Sequence, residues 1–565
     1  MNQLNQTDYI IFLLYFIGVS SYGYWIYKQK QKTKLDTKDF FLAEGSLTWW
    51  AIGASLIASN ISAEQFIGMS GNGFTFGVAV AAYEWLAAVA LIIVAVWFIP
   101  IYLKNHIYTM PQFLNTRYNE TVSLIMAIFW LFLYVLVNLT SILFLGALAI
   151  SSLVGPDSFH LIVVGLSIFA LIITLGGMKV IGYTDVFQVI VLVLGGLVTS
   201  YIALTLVSQK FGLGDDIIAG FSAMMRDADD HFHLIFEKPG PNTSQVEIDK
   251  YLTVPGITMY FAGQWIVNLN YWGCNQYITQ RALGADLKTA RTGILFAAAI
   301  KLFMPLIVML PGIAAYVLYK NGSLQNEMAP GGKLLADNAY SAILSFLPNG
   351  LKGLSLAALT AAIVASLAGK ANSISTIFTL DIYHKYLRKD ATEKQLVWTG
   401  RIVILVAMLI SIALTWKDAL GVGREGGFTF IQKYTGYLSP GIFAVFLLGF
   451  FWKRTTGAAA VAGILLGFAL TTLFNNYAPQ LFGNETILYT AFKNSSGVYE
   501  IPFLVAMGWA FVFTVLVMVL MSLAGPAINP KSFKVDSSMF RLAPSATAMI
   551  TVITLTLIVL YIRFW

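Results

Sequence analysis

Six ionisable side chains stand inside long apolar runs of this chain: Glu64, Glu84 in AAYEWLA, Asp185 in YTDVFQ, Lys301 in AAAIKLF, Lys370 in SLAGKANS and Lys433 in FIQKYTG. Charges in such surroundings are costly and default to a functional reading. Glu84 and Lys301 can form an interior ion pair. With neighbouring amides they can also surround a polyol, because hydroxyls both donate and accept and charge-assisted hydrogen bonds are the strong ones. Two stretches supply such amides. ASLIASNISAEQFIGMSGNG carries Asn60, Ser62, Glu64 and Gln65, and FAGQWIVNLNYWGCNQY carries Gln264, Asn268, Asn270, Tyr271 and Asn275. Any one of these residues can simply tie helices together; four polar groups in six positions, matched in a second stretch, point to a cavity. The aromatic residues Tyr83, Tyr134, Tyr271 and Trp272 can stack on a ring-shaped ligand, gate it, or pack.

Covalent chemistry finds no support. The chain has no phosphate-cradling GxxxxGK[ST], no HExxH and no GxSxG between a strand and a helix, and its five histidines are scattered. Cys274 is a single cysteine, which excludes a disulfide framework within the chain. The reading is therefore not an enzyme, and an ion gradient is the simplest source of energy.

The elements that hold these residues are membrane spans. With 58% hydrophobic and 11% charged residues and a mean hydropathy of +0.73, the 565-residue chain carries too much apolar surface for water. Runs near twenty residues recur throughout, each long enough to cross about 30 Å of hydrocarbon. We place them near 9–28, 46–72, 76–104, 122–153, 159–177, 182–207, 254–280, 291–319, 350–380, 396–416, 428–452, 456–477, 502–524 and 545–563. The first is too long for a signal-peptide core and reads as a retained span. The runs are continuously apolar, which indicates helices rather than barrel strands. With the N-terminus outside, about two thirds of the loop cations fall on the inner side, as the positive-inside rule requires. Both termini are then extracytoplasmic in a multi-pass plasma (inner) membrane protein. The net charge of +7 orients the chain; no basic stripe suggests nucleic acid.

The acidic loop 208–253 divides the spans into five before it (46–207) and five after it (254–452). Five is odd, so the two blocks have opposite topology, the plan of inverted-repeat transporters whose ligands bind where one helix of each block is broken. Residues 1–45 form an extra helix and a basic inner loop, and 453–565 three further helices. The expected fold is all-α and integral to the membrane: fourteen helices around a five-plus-five inverted-repeat core of the LeuT type.

The segments ASLIASNISAEQFIGMSG, AAYEWLAA, LYVLVNLTS, NYWGCNQYITQR, LAALTAAIVASLA…NS, TIFTLDIY and IQKYTGYLSPGIFAVFLLGFFWKRTT together resemble the sodium/solute symporters, within them the sodium/galactose and sodium/glucose branch. The resemblance runs in order from about residue 35 to 455. It implies sugar contacts for Gln65, Glu84, Asn268, Lys301 and Gln432, with Asn60 and Glu64 beside them. Tyr271 corresponds to the aromatic that closes beneath the sugar, and Trp272, Tyr83, Tyr134, Asn138 and Met69 to gate or supporting positions. For sodium it implies backbone carbonyls of Ala58, Ile61 and Ala362, ligands at Ala365 and Ser366, and Asp185 along the ion path.

Three positions depart from that pattern. Ala365-Ser366 stands where the family has two serines, so one oxygen is missing for an ion that, by extension from harder cations, wants about five or six. Lys370, one turn beyond Ser366, can bring its ammonium to the vacant position or snorkel to the inner surface; we favour snorkelling. Ala87 replaces a serine one turn from Glu84. The expected function is sodium-coupled import of a monosaccharide such as glucose or galactose, with sodium and the bilayer as the other partners, no further cofactor and no obligatory protein partner. The alternatives are another family substrate (myo-inositol, sialic acid or, less suited to these polar groups, proline), proton-coupled or sodium-independent transport, and a sugar sensor without flux.

Overall fold

The computed structural model describes residues 4–30, 47–176, 178–261, 263–329, 332–425 and 427–565. Most of the basic loop expected after the first span lies outside the described residues. Among the described residues ten helices are long and apolar enough to cross a membrane, and an eleventh arises if Gly427–Gly436 and Ser439–Phe451, bent by 52°, count as one span. The protein is thus a helical membrane protein. Its one described sheet is a small hairpin, Phe492–Lys493 against Tyr499–Glu500.

The first long helix, α1 (Gln6–Lys30), lies along the outside of the bundle with many apolar side chains exposed, as a lipid-facing helix must. Its buried Asp8 accepts from the backbone amides of Gly350 (2.7 Å) and Gly353 (3.0 Å), at the start of another helix. The inner frame consists of α2 (Trp49–Asn60), α3 (Ser70–Phe76), α4 (Ala81–Ile93), α5 (Met178–Lys210), α6 (Gly263–Gly273), α7 (Gln276–Leu283), α8 (Leu287–Val308), α9 (Leu351–Thr376), α10 (Gly427–Gly436) and α11 (Ser439–Phe451). Helix α8 packs against α2 and α4, α5 against α2 and α9, and α4 against α6. Glycine permits the closest of these approaches: a Cβ on Gly53 of α2 would stand 2.7 Å from the Gly293 carbonyl of α8.

The chain passes from α3 toward α4 through Gly77, whose φ of +66° favours glycine and where a Cβ would lie 2.2 Å from the His231 carbonyl. His231 belongs to the 208–253 segment. That segment is more than a connection: it carries helices over Ile217–Asp227 and Gln245–Thr253, and buried His231 bonds to the Phe74 carbonyl at 3.0 Å and stacks on Tyr316. It thereby covers the end of α3.

Candidate functional site

The polar stretch 60–65 breaks its helix. Helix α2 ends at Asn60, Ile61 turns to extended backbone, and the chain resumes as a π-helical stretch, Glu64–Met69, leading into α3. The cause is local. Ser62 and Gln65 form an S-x-x-Q pair in which the Gln65 Oε1 accepts from the Ser62 amide (3.0 Å) and the Ser62 hydroxyl from the Glu64 amide (3.1 Å). Such a helix start in the middle of an apolar run leaves the carbonyls at the end of α2 without helical partners. A second break separates α6 from α7 at Cys274-Asn275, where Asn275 is extended and accepts from the Tyr134 hydroxyl.

Beside both breaks lies a small cavity of about 40 Å³, far short of the roughly 300–1,000 Å³ of small-molecule sites, so a ligand of sugar size enters only as its walls move apart. All seven residues expected to contact substrate line it: Asn60, Glu64, Gln65, Glu84, Asn268, Lys301 and Gln432. So do Tyr83, Tyr271 and Trp272 of the expected gate. Tyr134, Asn138 and Met69 are buried away from it, Tyr134 meeting Tyr277 edge-on at 5.7 Å. Phe428 of α10 also lines the cavity and was not anticipated, although it precedes Gln432 by one helical turn on the same face. Its ring meets Tyr83 edge-on at 5.2 Å.

Across the cavity the polar groups are already connected. Lys301, wholly buried on α8, donates to Glu84 Oε2 at 2.5 Å and to Asn60 Oδ1, and lies 5.3 Å from the Trp272 ring centre. Asn60 Nδ2 in turn donates to the Tyr271 hydroxyl at 3.0 Å, which also accepts from Tyr277. The expected ion pair and the expected binding wall are therefore the same residues. Carboxylate, ammonium, amides and phenol alternate acceptor and donor, the pattern a polyhydroxylated molecule can exchange for. The described residues offer no nucleophile beside a base here; Cys274 is buried.

One layer away, α9 passes the end of α2. Ser366 Oγ donates to the Ser59 carbonyl at 3.1 Å, between the expected ion positions Ala58 and Ile61 on one side and Ala362 and Ala365 on the other. Lys370 does not snorkel. It is 2% exposed, its Nζ donates to Ser366 Oγ at 3.0 Å, and it lies 4.5 Å from the Tyr277 ring centre. The hydroxyl and ring offer the ammonium partners within reach, and its direction is back along α9 rather than toward the helix end. Asp185 of α5 accepts from Ser55 Oγ at 2.5 Å and pairs with Arg281 at 3.7 Å, while Arg281 Nε donates to the same Ser55 at 2.7 Å. Among the described residues no three His, Cys, Asp or Glu side chains cluster as a metal site would require. Any ion here would be held by backbone and hydroxyl oxygens, as suits a hard monovalent cation.

Residues 40–467 match the sodium:solute symporter family. The chain belongs to that family. It is 42% identical to a sodium/glucose cotransporter of Vibrio parahaemolyticus over all of this chain and 99% of that one. It is 33% identical to the sodium/myo-inositol cotransporter 2 of Mus musculus, covering 83% of this chain and 69% of that protein. Among solved structures, the substrate-bound outward-open state of a Na+-coupled sialic acid symporter superposes with a TM-score of 0.74 at 21% identity, covering 93% of this chain and 99% of that one. That likeness shows the symporter fold. As a sodium:solute symporter the chain is a transporter and not an enzyme.

Proposed function

We propose that this protein imports a monosaccharide, glucose or galactose, together with sodium by alternating access. The observation that carries the reading is the convergence of Gln65, Glu84, Asn268, Lys301 and Gln432 on one cavity beside two broken helices. Family membership and full-length similarity to a sodium/glucose cotransporter support it. In this reading sugar hydroxyls take over the hydrogen bonds that now link Glu84, Lys301, Asn60 and Tyr271, so the site loses little on opening to ligand. Tyr271 and Trp272 close the cavity on the inner side and Tyr83 with Phe428 on the outer side.

Sodium sits at the end of α2, held by the carbonyls of Ala58, Ile61 and Ala362 and by Ser366, with Asp185 on its path. Its higher affinity for the outward-open state shifts the population there, and that difference is all a ligand can contribute to a conformational change. Fourteen spans, with an inverted repeat of 46–207 and 254–452 and both termini outside, give the two broken helices their symmetric places. The 1–45 and 453–565 segments flank that core. A second reading keeps the mechanism and changes the cargo to another polyol such as myo-inositol, since Ala87 leaves one wall of the cavity without a hydroxyl.

The test is uptake of radiolabelled glucose, galactose and myo-inositol into proteoliposomes with sodium imposed outside and then replaced by potassium. Accumulation of one monosaccharide in sodium alone is expected. Equal accumulation in potassium would refute sodium coupling, and binding without accumulation would identify a sensor.

A further inference from the structure

The point where α9 passes the end of α2 already holds a positive charge. Ser366 commits its hydrogen to the Ser59 carbonyl, so the lone pairs of its oxygen face the other way. Into them points the Lys370 ammonium, at 3.0 Å, with the Tyr277 ring on another side. Neither contact carries a full negative charge; the carboxylate that acts on Lys370 is Glu64, in the wall of the cavity. The neighbouring position on α9, Ala365, is 1% exposed and presents a methyl group, so the oxygen supply is small as well as occupied. Close by, the second buried cation, Arg281, is balanced by Asp185.

We infer that Lys370 is a tethered competitor for the coupling cation: its ammonium stands on the hydroxyl oxygen that sodium takes and sets the ion's affinity low. The inference rests on the sodium-coupled reading given above. Two unit charges cannot share one hydroxyl oxygen, and at separations of a few ångströms in a poorly screened interior their repulsion is large. Sodium therefore binds only when the Lys370 side chain moves aside, and the sodium requirement of the transporter is set by a residue that touches no sugar.

Lys370→Met keeps the length of the side chain and removes the charge. In purified protein, the sodium concentration that half-saturates sugar binding, and binding of radioactive sodium itself, should shift to about tenfold lower sodium or further in this variant. Lys370→Arg should retain the wild-type requirement. Ala365→Ser should help little alone and much more when combined with Lys370→Met, because the restored hydroxyl becomes available only once the ammonium is gone. A merely structural lesion moves the other way, weakening sodium and sugar binding together. If Lys370→Met is not recovered folded, Lys370→Gln carries the same expectation.

An unchanged or raised sodium requirement, in a variant that binds sugar normally at saturating sodium, overturns the inference and leaves the symport reading intact. Wild type that binds sugar equally in potassium overturns sodium coupling and, with it, the inference that Lys370 sets a sodium requirement, even if Lys370→Met has become sodium-dependent. Indifference of both proteins to sodium overturns both.

Discussion

Lys301 lies 2.5 Å from Glu84 although the two stand 217 residues apart in the chain. Helices α8 and α4 pack along their length, and this pair is buried in the seam, where it also takes in Asn60 from the break of the first polar helix. One contact thus ties three segments to a single wall of the cavity. A fourth joins through the Asn60 amide and the Tyr271 hydroxyl.

Removing one charge of that pair strands the other. Lys301→Ala should lower stability by about 3–5 kcal/mol, the usual consequence of an uncompensated buried charge, and abolish sugar uptake. The neutral pair Lys301→Met with Glu84→Gln should regain most of the stability and none of the uptake. Melting in detergent and uptake in proteoliposomes separate the two effects. Wild-type uptake by Lys301→Ala would sink the assignment of the binding wall.

Tyr271→Phe keeps the ring against Trp272, 5.1 Å between centroids, and deletes only the hydroxyl shared with Asn60 and Tyr277. A typical hydrogen bond contributes about 0.5–1.5 kcal/mol net, so sugar affinity should fall roughly three- to tenfold without loss of folding. Tyr271→Ala should be worse and should also expose the cavity on the inner side. Equilibrium sugar binding to purified protein, together with cysteine labelling from the inner side, measures both.

At Gly68 a Cβ would stand 2.6 Å from the backbone nitrogen of Phe428 and 2.8 Å from its Cβ, so the π-helical stretch and α10 touch backbone to backbone. Neither chain end of that contact can swing away as a side chain tip could. Gly68→Val should hold Phe428 off Tyr83 and keep the outer side open. Sugar should then still bind from outside while turnover falls at least tenfold. Normal exchange flux through the Gly68→Val variant would remove Phe428 from the outer gate.

Much of the site was legible because membrane burial makes polarity conspicuous. Glu84 and Lys301 announced themselves as charges in apolar runs, and an ion pair between them was one of two readings those charges allowed. The break at Ile61 had an explicit signal, the S-x-x-Q of Ser62 and Gln65, which is a helix start inside an apparent span. Phe428 was overlooked since an aromatic in an apolar helix is ordinarily packing; only the register shared with Gln432 marks it. The direction of Lys370 could not be read either, because a lysine stem reaches equally well toward a surface or toward an oxygen one turn back, and the Tyr277 ring that decides between them comes from α7. Whether segment 208–253 does more than connect could not be read from its polar composition, because its attachments, among them His231 to the Phe74 carbonyl and the Tyr316 ring and Asp227 to Lys320, come from distant parts of the chain.

The Asp185–Arg281 pair yields the last prediction. Both side chains are almost completely inaccessible, and Ser55 of α2 bridges them, accepting from Arg281 and donating to Asp185. Three helices, α2, α5 and α7, therefore meet on one charge-balanced contact beside Gly369, about one turn from Ser366 on α9. Arg281→Ala should cost about 3–5 kcal/mol of stability, since it leaves the Asp185 carboxylate buried alone. Asp185→Asn retains a group that can still accept from Ser55 and should cost less, but it strands the guanidinium and so weakens the hold of α5 on α7. If Asp185 is also on the ion path, Asp185→Asn should raise the sodium concentration needed for half-maximal uptake while the sugar affinity at saturating sodium stays within about twofold. An Arg281→Gln, Asp185→Asn double variant restores neutrality, and recovers stability without recovering the sodium response if the carboxylate serves both purposes. Recovery of both would assign the pair to structure alone.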